Sequence, residues 1–182
     1  LSAQFYGTSG GYYDVTNSTL SGNGARSVSM WVYNHSGNTG RQLLWGQGNF
    51  GTATPNNKNF DVEANVYDSG SISTKYGVHY WGDGIPFTNA EVIYDQWVHL
   101  VVVHDGGDIN TTNTRMYINN VGGYLPTKTV SFSITSGSNR ICMGLRYYRD
   151  GSTPDLQFTG KLDQVRVFNK ALTAAEVAVL YN

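Results

Sequence analysis

Two carboxylates one residue apart, Asp61 and Glu63, stand in the run Phe60-Asp61-Val62-Glu63-Ala64-Asn65-Val66-Tyr67. The run alternates, which places Phe60, Val62, Ala64 and Val66 on one face of a strand and the acidic pair on the other. At positions i and i+2 their Cα atoms lie about 6.5 Å apart, within the ~5–9 Å over which paired carboxyl groups cleave a glycosidic bond. That chemistry needs both groups in an open groove. An exposed strand face accounts for the same pair without any catalysis.

A second group is richer in aromatic side chains: Tyr76, His79, Tyr80, Trp81 and Asp83. Aromatic faces suit the C–H faces of sugar rings, and Asp and His can fix hydroxyls by hydrogen bonds. Neighbouring residues of a strand face opposite ways, so of Tyr80 and Trp81 at least one is available to plug the core. A third group is the loop Arg146-Tyr147-Tyr148-Arg149-Asp150-Gly151, which offers guanidinium and phenol groups to a partner or simply decorates the surface. His79, Tyr80, Trp81, Asp83, Arg146, Tyr147, Tyr148 and Arg149 are therefore the candidate ligand contacts.

Other chemistries lack their residues. No His-x-x-x-His or Cys-His spacing marks a transition-metal site, and neither a Gly-x-Ser-x-Gly elbow nor a Walker-type loop occurs. His99 and His104 fall within and at the end of the most apolar run, and both read as structural. Cys142 is the single cysteine, so no internal disulfide is possible; between Ile141 and Met143 it reads as a buried strand residue. Asn17, Asn34 and Asn110 begin glycosylation triplets, at the frequency expected by chance in so Asn-, Ser- and Thr-rich a chain.

The elements that must position these groups are strands. Among 182 residues, charged side chains make up only 14%, while 22 Gly and 13 Tyr give the balance of a sheet protein with many turns. Strand-like runs cover Ser27–Tyr33, Leu43–Trp45, Phe60–Tyr67, Trp97–Val103, Arg115–Ile118, Lys128–Ile134 and Arg140–Leu145. Trp97–Val103 is apolar on both faces and is expected at the centre of a sheet. Asn119-Asn120 tolerates the positive φ of a type I′ hairpin turn before Val121 restarts a strand. Helical periodicity is absent until the end, where Thr173 and Glu176 form a capping box. One domain spanning 1–182 fits the length.

A net charge of -1 without any basic run excludes a nucleic-acid footprint. No apolar stretch approaches the ~20 residues of a membrane span, so insertion into a membrane is not expected.

Several of these segments resemble laminin-G-like, or concanavalin-A-like, jelly-roll domains. The closing run from Phe158 and Gly160 through Lys161-Leu162-Asp163-Gln164-Val165-Arg166-Val167-Phe168 to the capped helix carries the likeness furthest. The strand Ser27–Tyr33, the Trp97-Val98-His99 strand ending in Asp105-Gly106, the hairpin Arg115–Asn120, and the N-terminal segments Gln4–Gly7 and Tyr12–Val15 extend it in the same order. The resemblance implies an all-β, two-sheet antiparallel sandwich with a short C-terminal helix. It also implies a non-catalytic carbohydrate-binding or adhesion module, extracellular, on a cell surface or on a virion, whose partner is a glycan, another cell-surface ligand or a protein of a larger assembly. Enzymes of the fold carry Glu-x-Asp-x-x-Glu; here the comparable run, Asp61 to Val66, lacks the second Glu. A structural packing module and a polysaccharide-cleaving enzyme using Asp61 and Glu63 are the alternatives. A structural calcium ion is frequent among such domains, and Asp163 is the side chain the resemblance points to for it.

Overall fold

A computed structural model describes residues 2–7, 13–16, 20–49, 58–80, 82–135, 140–147 and 154–182. In chain order the strands are β1 (Ala3–Tyr6), β2 (Tyr13–Thr16), β3 (Arg26–Asn34), β4 (Gln42–Gly48), β5 (Asn59–Ala64), β6 (Tyr67–Asp68), β7 (Ser71–Ile72) and β8 (Lys75–His79). There follow β9 (Gly84–Glu91), β10 (Trp97–His104), β11 (Thr114–Ile118), β12 (Val121–Tyr124), β13 (Arg140–Met143), β14 (Arg146–Tyr147), β15 (Pro154–Asp155) and β16 (Thr159–Phe168), and then the helix α1 (Ala174–Tyr181).

Two six-stranded antiparallel sheets form the sandwich, one ordered β1-β16-β3-β10-β11-β12 and the other β2-β13-β4-β5-β8-β9. Two short hairpins, β6-β7 and β14-β15, stand apart from them. Between the sheets the alternation of the sequence is obeyed as far as Ala64. There β5 ends and Asn65 takes a φ of 54°; Val66, expected inward in a strand reaching Tyr67, lies against Gly77 and Gly84 and outside the main core cluster. Val28, Met30 and Val32 of β3 and Val98, Leu100 and Val102 of β10 meet Phe60, Val62 and Ala64 of β5 and Tyr76 and Val78 of β8. Trp45 is fully buried in the same core and packs edge-on against Phe60.

The central position expected for Trp97–Val103 is the one β10 takes, between β3 and β11. Its second face is covered as well: Val101 and Val103 pack with Tyr117 beneath Leu172 and Val177. Thr173 caps α1, accepting from the Glu176 backbone while the Glu176 carboxylate reaches back, and Ser27 Oγ holds the entry by bonding Lys170 O and Leu172 N. Asn119 and Asn120 take φ of 50° and 63°, the I′ conformation their side chains tolerate. One expected strand is missing: in the segment 128–134 only Val130 and Ile134 make isolated bridges, to Ile109 and Gly22. Its apolar residues, Phe132 among them, plug the end of the core rather than join a ladder.

Candidate functional site

On β5 the acidic pair points away from the core, as the alternation requires, onto the outer face of the second sheet. Asp61 stands opposite Gly46 of β4 and His79 of β8, and Glu63 stands opposite Leu43 and Gly77. Two large cationic side chains lie over the sheet here, while Val66 fills the space beside Gly77. Arg41, just before β4, forks onto Glu63 with Nη2 at 2.9 and 3.0 Å from the two oxygens and Nε at 3.2 Å. Arg146 donates from Nη1 to Asp61 at 2.7 Å and from Nη2 to Asp155 at 2.8 Å, so one guanidinium bridges β5 and the β14-β15 hairpin.

Neither carboxylate is a solvated strand-face residue. Both are 0% exposed. The segment after β15 lies across this face, with Leu156 packed on Leu43 and Cys142 and its carbonyl accepting from Leu43 N. The open groove that glycoside cleavage by this pair requires is therefore absent, and each group is already engaged by a guanidinium.

Burial sets the protonation of the cluster. Desolvation pushes Asp61 up to about 7, with Arg146 opposing it, and Glu63 is raised for the same reason against the pull of Arg41. His79 is held well below the ordinary imidazole value by burial and by both guanidinium groups, so it is neutral. Cys142 is pushed up by burial and by the nearby Asp61, which makes it an inert thiol. Asp61 Oδ1 has no hydrogen-bond partner among the described residues.

Asp61, Glu63 and His79 each offer one ligand atom within 4.8 Å of the others, a group that could hold a metal ion. The cation found there is Arg146, whose Nη1 lies 2.7 Å from Asp61 Oδ2 and 3.4 Å from His79 Nδ1. A metal would have to displace this guanidinium, and the two carboxylates that would carry it are already neutralised by Arg41 and Arg146. Asp163 lies elsewhere, on β16, half-buried, with Oδ1 accepting from Gln164 N at 2.7 Å; it does not belong to the metal-capable group found among the described residues.

Of the candidate contacts, His79 and Arg146 come together, although 67 residues separate them in the chain. Tyr80 is half-buried and stacks on the His79 ring at 6.3 Å between centroids. Asp83 lies in a separate surface cluster, 2.5 Å from Lys128, which also pairs with Asp68. Tyr147 forms the β14 ladder opposite Pro154. Trp81, Tyr148 and Arg149 fall outside the described residues.

Sequence reasoning did not find Arg41, Asp155 or Tyr67, whose ring lies 5.4 Å beneath the Arg41 guanidinium. A signal existed for Arg41, a cation directly before a strand that pairs with the acidic one. His99 bonds Ser29 Oγ through Nε2 at 2.9 Å beneath Trp31 and Tyr181, the structural role read for it.

The two-sheet topology, with β3 paired between β16 and β10, and the capped terminal helix agree with the architecture that the resemblance implied. The model of the concanavalin A-like lectin/glucanases superfamily, in its laminin-G type, matches residues 7–178. The chain belongs to this superfamily. No curated protein matches the sequence.

Among solved structures, this lectin/glucanase domain is similar to domain 4 of AbnA, a GH43 extracellular arabinanase from Geobacillus stearothermophilus solved with arabinotriose. That pair shows 21% identity and a TM-score of 0.63 over 100% of this chain and 76% of that one. The CBM40 of the Ruminococcus gnavus IT-sialidase, bound to alpha2,3 sialyllactose, matches at 14% identity and TM-score 0.60 over 87% of this chain and 83% of that one. The NanB sialidase from Streptococcus pneumoniae matches at 20% identity and TM-score 0.66; 97% of this chain corresponds to only 27% of that one. These likenesses show the fold, a lectin fold resembling carbohydrate-binding domains. Among the described residues no helix is long and apolar enough to cross a membrane.

Proposed function

We propose that this domain is a non-catalytic glycan-binding module of a larger extracellular, cell-surface or virion protein. The observation that carries the reading is the convergence on one sheet face of a rigid polar floor, Asp61, Glu63, His79 and Arg146, flanked by the half-buried side chains of Tyr67 and Tyr80. A buried, mutually paired floor holds its orientation without a ligand, and flanking rings supply the stacking surface, the usual division of labour in a sugar site. The domains solved with arabinotriose and with sialyllactose share this architecture, and the arabinanase containing the first is extracellular. The proposed ligand contacts are Tyr80, Tyr67 and Arg41, positioned over the buried His79 and Arg146, with Asp83 from the neighbouring surface cluster; Trp81, Tyr147, Tyr148 and Arg149 complete the set expected from sequence. The ion pairing of Asp61 and Glu63 supports a module without hydrolytic activity.

A glycan array probed with and without millimolar calcium tests this. A saccharide signal that falls about tenfold in Tyr80→Ala or Trp81→Ala, with the fold retained by circular dichroism, supports it, and loss in chelator, rescued by calcium but not in Asp163→Asn, would assign the ion to Asp163. Silence on the array moves the function to protein packing. A specific feature favours that second reading: an open apolar groove beside α1, lined by Phe168, Leu172, Val179 and Leu180, with Val179 75% exposed.

A further inference from the structure

The acidic pair occupies one side of the sandwich only. On the opposite side, the outer face of the first sheet, strand register sets Gln4, Lys161, Tyr33 and Trp97 side by side in one row across β1, β16, β3 and β10. The next residues along these strands, Phe5, Leu162, Val32 and Val98, lie in the core, so the row turns outward. Helix α1 covers part of this face: Leu172 and Val177 pack on Val101 and Val103, and Tyr181 stacks on Trp31 at 5.7 Å. The row lies beyond that cover. Among the described residues the exposed aromatic side chains are Tyr6, Trp97 and Tyr181, and all three are on this side.

Trp97 is 38% exposed and meets Tyr33 edge to face, with centroids 5.8 Å apart and planes at 70°, so the two rings form a corner. Lys161 is half-buried and holds its Nζ 5.3 Å from the centre of the Tyr33 ring. That ammonium has no ion pair or hydrogen bond among the described residues. The carboxylates at adjoining positions serve the backbone instead: Asp163 Oδ1 accepts from Gln164 N, and Asp95 Oδ1 accepts from Ser36 N and faces His35 at 3.9 Å. Lys161 is thus a cation without a counter-ion beside an open aromatic corner, which is complementary to an anion carried on a stacking ring. The row has no aliphatic member, unlike the groove beside α1 with its Leu172, Val179 and Leu180. Rings framed by polar groups match the C–H faces and polar substituents of a sugar. The row crosses three strand spacings, about 14 Å, which fits an oligosaccharide. We infer that this row is a second saccharide site, apart from the acidic-pair face, and that it takes acidic saccharides, a sugar ring stacking on Trp97 while a carboxylate or sulfate group pairs with Lys161.

The experiment is calorimetric titration of the purified domain with two matched pairs, sialyllactose with lactose and a galacturonate oligomer with its methyl ester, at low and at high salt. At least one acidic member should bind more tightly than its neutral partner, and the advantage should shrink in high salt. Trp97→Ala should weaken that binding at least about tenfold, and Trp97→Phe, which keeps a ring, should recover most of it. Lys161→Gln should bring the acidic member down to the level of its neutral partner, while Tyr80→Ala, on the opposite face, should change it less than about twofold. Circular dichroism checks that each variant keeps the fold. Acidic binding that survives both Trp97→Ala and Lys161→Gln, or that disappears in Tyr80→Ala, overturns the inference and leaves a glycan site on the acidic-pair face. If neither acidic member binds, the inference falls, and the glycan-binding role is then judged separately by the neutral members and the array.

Discussion

At the scale of single residues, Asp61 makes the pH behaviour of the protein testable. Its carboxyl group is raised to about 7 in the fold and titrates near 4 in an unfolded chain, so the folded form holds the proton more tightly. The stability it contributes is fully present below about pH 4 and is lost as pH rises through about 7. Asp61→Asn cannot titrate. The stability of the wild type relative to this variant should therefore fall between pH 5 and pH 7, by at most about 1.4 kcal/mol per pH unit, in paired denaturant melts. A difference that rises with pH in that window would show that Arg146 keeps Asp61 ionised. Arg146→Met removes the bridge itself and leaves Asp61 and Asp155 facing each other without a cation, with an expected loss of about 3–5 kcal/mol. Arg26 is a second buried guanidinium, held by Gln47 and by the carbonyls of Ser21, Gly22 and Gly24 beneath the ring of Phe132. Its bonds tie the chain entering β3 to β4, which is a structural use of charge.

Among elements, the terminal helix is held by few contacts of large effect. Leu172 and Val177 bury Val101, Val103 and Tyr117, which would otherwise leave the central strand open to water on that side. Leu172→Ala should cost about 2–4 kcal/mol, lowering the melting temperature by about 10 °C in a domain of this size. A loss under 1 kcal/mol would mean that the helix docks without that anchor. The β14-β15 hairpin is anchored differently, by Arg146 to Asp61 and by Leu156 on Leu43 and Cys142. Substitutions on the two sides of the sandwich should accordingly add, since the groups share no partner.

For the whole molecule, chain order and spatial order diverge. The first strand pairs with the last, Ala3 opposite Leu162, and Asp14 lies opposite Cys142 in the other sheet. Such long loops must close before their contacts reward them, so refolding from denaturant should take milliseconds to seconds or longer, as stopped-flow fluorescence of the four Trp would report. Microsecond refolding would contradict the topology. Removal of residues 1–7 withdraws β1, strips β16 of its edge partner and empties the place of Phe5 against Phe158, and soluble expression should drop sharply.

The sequence by itself determined the features that depend on near neighbours. Alternation assigned Phe60, Val62 and Ala64 to the core and turned Asp61 and Glu63 away from it; paired asparagines marked the turn at 119 and 120; Thr173 and Glu176 marked the helix start. The family resemblance, spread through the chain, carried the two-sheet architecture. Period alone misread residues 128–134, because a segment that plugs the end of a core has the same apolar content as a strand that pairs. It also left the acidic pair on an exposed face, since alternation tells which way a side chain points and not what lies above it. Only the tertiary structure decided that Arg146, 85 residues away, would cross the sheet to Asp61, and that Arg41 would fork onto Glu63. Two carboxylates buried without cations would be too costly to fold, yet which cations answer them depends on a hairpin laid over the sheet by long-range contacts that leave no periodic trace.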